Sequence, residues 1–119
     1  PSETPKITPV STSNYRADKE AILKKLAEIE SRSGKVRKLL DTNNRYSLGL
    51  YHFQAATVKD MYKRYYKQNI TITEAVAIAQ DDELATKLAH DAIFVKGENW
   101  HWHNSMIKMA KAGLVAYNK

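Results

Sequence analysis

The stretch Asp18-Lys19-Glu20-Ala21-Ile22-Leu23-Lys24-Lys25-Leu26-Ala27-Glu28-Ile29-Glu30-Ser31 decides the fold, because Ile22, Leu23, Leu26 and Ile29 recur at the spacing of one helix face. Asp18 stands where a helix N-cap is wanted. The pattern predicts a helix from about Ala17 to Ser31, ended by Gly34. Glu30 breaks the pattern: it follows Leu26 by four residues and Leu23 by seven, so it continues the apolar stripe, whereas Glu28 falls off it. A carboxyl on an apolar face resists ionisation, and the negative end of the helix macrodipole acts in the same direction. An acid still protonated near neutral pH is what glycosidic-bond cleavage needs as its proton donor. A last turn in which Glu30 points to water fits the same periodicity.

Downstream, Lys35 to Phe53 has no helical period and is polar through Asp41-Thr42-Asn43-Asn44-Arg45, which reads as a surface loop or a small hairpin. Four further helices are expected. One runs from about Ala55 to Lys67 with Val58, Met61, Tyr62, Tyr65 and Tyr66 on one stripe. The next opens at Thr71, where Thr71 and Glu74 form a capping box, and carries Val76, Ile78 and Ala79. Asp81 or Asp82 caps a fourth, with Leu84, Leu88, Ala92 and Ile93 inward and Gly97 as its stop. The last, about Asn99 to Lys111, turns Trp102, Met106, Met109 and Ala110 to the core. Upstream, all three prolines fall in the first nine residues among Ser and Thr, so residues 1–14 read as a flexible tail or linker and 15–119 as one domain.

The chain of 119 residues is 43% hydrophobic and 27% charged, an ordinary profile for a domain with its own core. No run is apolar enough to span a membrane. Without cysteine there is neither a disulfide framework nor a thiolate metal site. The net charge of +6 favours polyanionic partners, of which nucleic acid, anionic lipid and bacterial cell wall all qualify.

Glu30-Ser31, Asn43-Asn44 and the run Ser47-Leu48-Gly49-Leu50-Tyr51-His52-Phe53-Gln54-Ala55-Ala56-Thr57 together resemble the lysozyme-like superfamily of lytic transglycosylases and goose-type lysozymes. In that family a catalytic Glu-Ser closes a helix, and a Gly-Leu-Met-Gln-type turn follows, with a Thr five residues beyond the Gln. Gly49-Leu50 matches the turn, and Thr57 has the spacing if His52 takes the Gln position. Ala116-Tyr117-Asn118 is similar to the start of the family's Ala-Tyr-Asn-Ala-Gly motif, whose Tyr lies by the catalytic Glu. The departures are His52 for Gln and the missing Ala-Gly end.

The resemblance implies an all-α, lysozyme-like helical domain that acts on peptidoglycan outside the cytoplasm. It would cut the β-1,4 bond between N-acetylmuramic acid and N-acetylglucosamine as a monomer, without cofactor or metal. Glu30 is then the acid, and Ser47, His52, Gln54, Tyr117 and Trp100 position substrate. Gln54 supplies the amide function if the register differs by two. Asp41 is the one acid in the loop after Glu30 and the candidate second carboxylate of a hydrolase; in its polar run a loop-capping role is the ordinary expectation. Without a second carboxylate the muramic acid closes on itself through its 6-hydroxyl, the lytic transglycosylase outcome, and this is the expected one.

Trp100-His101-Trp102-His103 offers aromatic faces for sugar rings or for the core. His101 and His103 are two apart and share no helix face, which argues against zinc. Tyr62, Tyr65 and Tyr66 beside Lys59, Lys63, Arg64 and Lys67 fit a nucleic-acid-binding helix, and the rival, non-enzymatic reading is a basic module that binds nucleic acid or a partner helix. A buried tyrosine stripe beside a solvated cationic face is the expectation, with no nucleic-acid partner.

Overall fold

The computed structural model describes residues 18–117. The tail at 1–14, the start of the domain at 15, the expected helix start at Ala17, and Asn118 lie outside the described residues.

Helix α1 spans Lys19–Ser31, and the Asp18 carboxylate accepts from the Ala21 N–H at 2.8 Å. Ile22, Leu23, Leu26 and Ala27 are buried, as the stripe requires. The helix stops before Gly34, because Arg32, Ser33 and Gly34 are all left-handed (φ 53°, 59° and 93°). Buried Ser31 stabilises that reversal. Its hydroxyl donates to the Ala27 carbonyl at 3.1 Å and accepts from the Gly34 N–H at 2.9 Å.

A three-stranded antiparallel sheet follows: β1 (Lys38–Leu40), β2 (Tyr46–Leu48) and β3 (Phe53–Gln54), in that order. The domain is therefore mostly helical with a small sheet, not all-α, and the hairpin expected after the first helix gains a third strand. Tyr46 and Phe53 supply aromatic strand formers. Asn44 takes the left-handed conformation at the β1–β2 turn (φ 67°), while the Asn43 side chain accepts from the Arg45 N–H at 3.1 Å. Between β2 and β3, Gly49 (φ 77°) lies directly against the end of the third helix, where an added Cβ would meet the Ala79 carbonyl oxygen at 1.8 Å.

Helices α2 (Ala55–Tyr66), α3 (Ile72–Gln80) and α4 (Asp82–His90) cover one side. The Thr71–Glu74 capping box opens α3. Asp81 caps α4 through the Leu84 N–H at 2.9 Å, whereas Asp82 forms a two-pronged ion pair with Arg37 at 2.9 and 3.2 Å. Two inward assignments are corrected. Val76 and Leu84 are 37% and 42% exposed, because α3 and α4 bury the small rows Ala75/Ala79 and Ala85/Ala89, which let the backbones approach and leave the larger neighbours at the edge. Past α4 the chain continues as a π-helical turn, Asp91–Val95, which buries Ala92 and Ile93. The single last helix expected from Asn99 is instead a 3-10 turn, Asn99–Trp102, followed by α5, His103–Lys111.

Ile22, Leu26, Val58, Met61, Leu88, Ile93, Met106 and Met109 form the innermost layer, so α1, α2, α4 and α5 share one core. Trp102 joins that core to the sheet. Its ring meets Phe53 edge-on with centroids 5.4 Å apart, and its Nε1–H donates to the Tyr51 carbonyl at 3.0 Å. Ala110 is only partly buried. No helix among the described residues is long and apolar enough to cross a membrane.

Candidate active site

A cleft of about 460 Å³ opens where the end of α1, the sheet and the start of α5 converge, lined among others by Glu30, Asp41, Ser47, His52, Gln54 and Ser105. The Glu30 side chain is 21% exposed. It stands in the last turn of α1 and lines the cleft. The Ser105 hydroxyl, itself buried, donates to Oε2, and His52 Nδ1 stands 3.9 Å from Oε1. Burial raises the Glu30 pKa above the usual carboxylate value. Ser105, His52 and Lys108 pull it back, and the charge of Asp41 pushes it further up, with the balance remaining upward.

His52 is less available to a ligand than expected. Its side chain is 6% exposed, and Nε2 donates to the Val36 carbonyl at 2.6 Å, so only Nδ1, on the Glu30 side, is left. His52 adopts a left-handed backbone (φ 55°), a costly conformation for a non-glycine residue. The turn after Gly49 thus spends conformational energy to set an imidazole behind Glu30.

Asp41 is placed differently from the loop-capping role expected of it. Its backbone closes the β1–β2 turn, receiving the Asn44 N–H and donating to the Arg45 carbonyl, each at 2.9 Å. Its side chain faces the cleft. Ser47 and Gln54 both donate to Oδ2, the latter at 2.8 Å, while Asn43 exchanges hydrogen bonds with Gln54 at 3.0 and 3.3 Å. Ser47 and Gln54 therefore orient a carboxylate before they meet any ligand. Thr57, on the first turn of α2, also lines the cleft.

Two expected site residues lie off the cleft wall. The Tyr117 hydroxyl bonds His103 Nδ1 at 2.8 Å, and it is Ser105, not Tyr117, that bonds Glu30. Trp100 is 58% exposed at the rim and stacks on the cleft residue His101, with centroids 3.9 Å apart and 30° between planes. His101 is fixed from behind by Glu98, with Nε2 3.0 Å from Oε1. Arg64 and Tyr65 also donate to that carboxylate, and Arg64, working against burial, draws its pKa down to about 2. His101 and His103 thus serve different partners, and among the described residues no three His, Asp or Glu gather into a metal site.

Sequence reasoning missed Ser105 and Lys108. The helix-face spacing i, i+3 that places them together on α5 was visible, but nothing local marks that face as part of a cleft. No family model, no curated protein and no solved structure matches this chain.

Proposed function

We propose that this chain is a lysozyme-like enzyme that cleaves the β-1,4 bond between N-acetylmuramic acid and N-acetylglucosamine of peptidoglycan outside the cytoplasm, with Glu30 as general acid. The observation that carries the reading is a carboxyl with a raised pKa, one oxygen held by a buried serine hydroxyl, in a polar cleft beside a second carboxylate. With Ser105 donating to Oε2, the acidic proton belongs on Oε1. From there it passes to the glycosidic oxygen as that bond breaks, leaving an oxocarbenium-like sugar and an ionised Glu30. Ser105 then stabilises the carboxylate that forms.

Asp41 in the cleft favours hydrolysis as the second step over the transglycosylation expected from the sequence. Its carboxylate is oriented by Ser47 and Gln54 and is close enough for its charge to raise the Glu30 pKa. There it stabilises the cationic sugar or takes a proton from the attacking water. Trp100 on His101 provides an aromatic face for a neighbouring sugar at the rim. The test is the mass of soluble fragments from purified peptidoglycan. Hydrolysis yields muramic acid at reducing ends, and transglycosylation yields fragments lighter by one water. Absence of any glycan fragment overturns the proposal.

A further inference from the structure

We propose that the exposed row of Lys59 and Lys63 on α2 and Lys67 at its C-cap, together with Asn69, is a second binding site, for a linear polymer of phosphodiesters. It stands apart from the Glu30 cleft, shares no residue with its lining, and does not rest on the peptidoglycan reading.

The three lysines are four residues apart: Lys59 and Lys63 stack along one line of α2 with a rise of about 6 Å, and Lys67 follows as the left-handed C-cap (φ 59°), lining one groove with Lys63. All three are exposed, and among the described residues none is in an ion pair. Like charges at this spacing repel, so the row does nothing for the fold. The acid beside it, Asp60, is already taken by Arg64 Nε at 2.9 Å, and the rest of that guanidinium forks onto Glu98 at 2.6 and 3.0 Å. Two open grooves of about 230 and 530 Å³ run along the row and share Asp60, Lys63 and Asn69, so one continuous track passes the three ammonium groups and the carboxylate that Arg64 pairs.

The type of cation points to the type of anion. A lysine ammonium is a compact point charge, whereas bidentate recognition of a carboxylate calls for an arginine fork. Arg64, the one arginine along these grooves among the described residues, is occupied. A row of point charges suits a chain with one negative charge per repeat, as in a phosphodiester backbone. A nucleic acid would also need somewhere to stack its bases. The tyrosines of α2 do not offer it: Tyr62 and Tyr66 pack edge-on at 4.8 Å, and the Tyr65 and Tyr66 hydroxyls are bound to Glu98 and Asp91. The track therefore fits a phosphodiester polymer without bases.

The experiment titrates the full chain with a synthetic poly(glycerol phosphate) oligomer over a salt series, and in parallel with an oligothymidylate of equal charge. Lys59→Gln/Lys63→Gln/Lys67→Gln is compared with Lys24→Gln/Lys35→Gln/Lys111→Gln, which removes the same charge from exposed positions elsewhere. Thermal midpoints verify that both variants fold. The α2 variant should bind the oligomer about tenfold or more weakly, and its log K against log salt slope should shrink by about 2, at about 0.7 per lost contact on a flexible strand. The other variant should stay within about threefold of the parent. Equal losses in both variants would reduce the effect to net charge and overturn the site, as would unchanged binding by the α2 variant. Tighter binding of oligothymidylate, lost in the α2 variant, would overturn the assignment of ligand class.

Discussion

Replacing Gly49 with alanine tests how the cleft is held together. Gly49 has φ 77°, and an added Cβ would stand 1.8 Å from the Ala79 carbonyl oxygen, where real Cβ atoms essentially never come within 3.0 Å. Two costs follow. A left-handed conformation costs a residue with a Cβ about 1–2 kcal/mol. Relieving the clash means moving the β2–β3 turn off the last turn of α3, an overpacking cost of about 1–3 kcal/mol. The obstacle is backbone, so no side-chain rotation evades it. The sum is about 2–5 kcal/mol, and at about 4 °C per kcal/mol for a domain near this size, the thermal midpoint should fall by about 8 °C or more. Because the same turn carries His52 into the cleft and follows directly on the strand that carries Ser47, glycan cleavage should fall with it even below the new midpoint. Calorimetry on the two proteins measures the first effect and release of soluble fragments the second. A midpoint drop below about 3 °C would refute the close approach of turn and helix.

Three further outcomes follow from the site. The Glu98 carboxylate, held at about 2 chiefly by Arg64, contributes stability that is present above its ordinary value of 4.5 and lost as pH falls toward 2. Glu98→Gln should therefore flatten the fall of the thermal midpoint across that range. In Ser105→Ala the hydroxyl that favours ionised Glu30 is gone, so the alkaline limb of the cleavage profile should move to higher pH. Asp41→Asn should abolish hydrolytic products while the midpoint changes little; an unchanged rate with fragments lighter by one water would return the reaction to transglycosylation.

Helix positions were legible where the local signals agreed. Asp18 and Thr71 cap helices, and Val58 with Met61 and Met106 with Met109 lie on buried faces. The sheet was less legible because its strands are two or three residues long, too short for alternation to register, and their pairing is fixed by a turn and by Gly49 against α3. Leu84 and Val76 were misplaced because alanines, which carry little hydrophobic signal, form the buried contact rows. At the cleft, Glu30 stood out as an acid in an apolar period. Asp41 looked like a turn residue because its backbone is one, and only the tertiary pairing with Ser47 and Gln54 aims its side chain at the cleft. Ser105 left no local mark, since its partner is 75 residues away.

Glu30→Gln tests the central claim most directly. The amide keeps the shape and can still accept from Ser105, but it has no proton to give. Wild-type Glu30 holds its proton to a higher pH when folded than when unfolded, so it costs stability as pH rises above 4.5, and the variant escapes that cost. The measurement is release of soluble glycan fragments from purified peptidoglycan, with the thermal midpoint taken on the same samples. The account predicts near-complete loss of release, with a midpoint that is level with wild type in acid and equal or higher at neutral pH. Release that persists at more than a few per cent of wild type, from a variant with an intact midpoint, would contradict Glu30 as the acid.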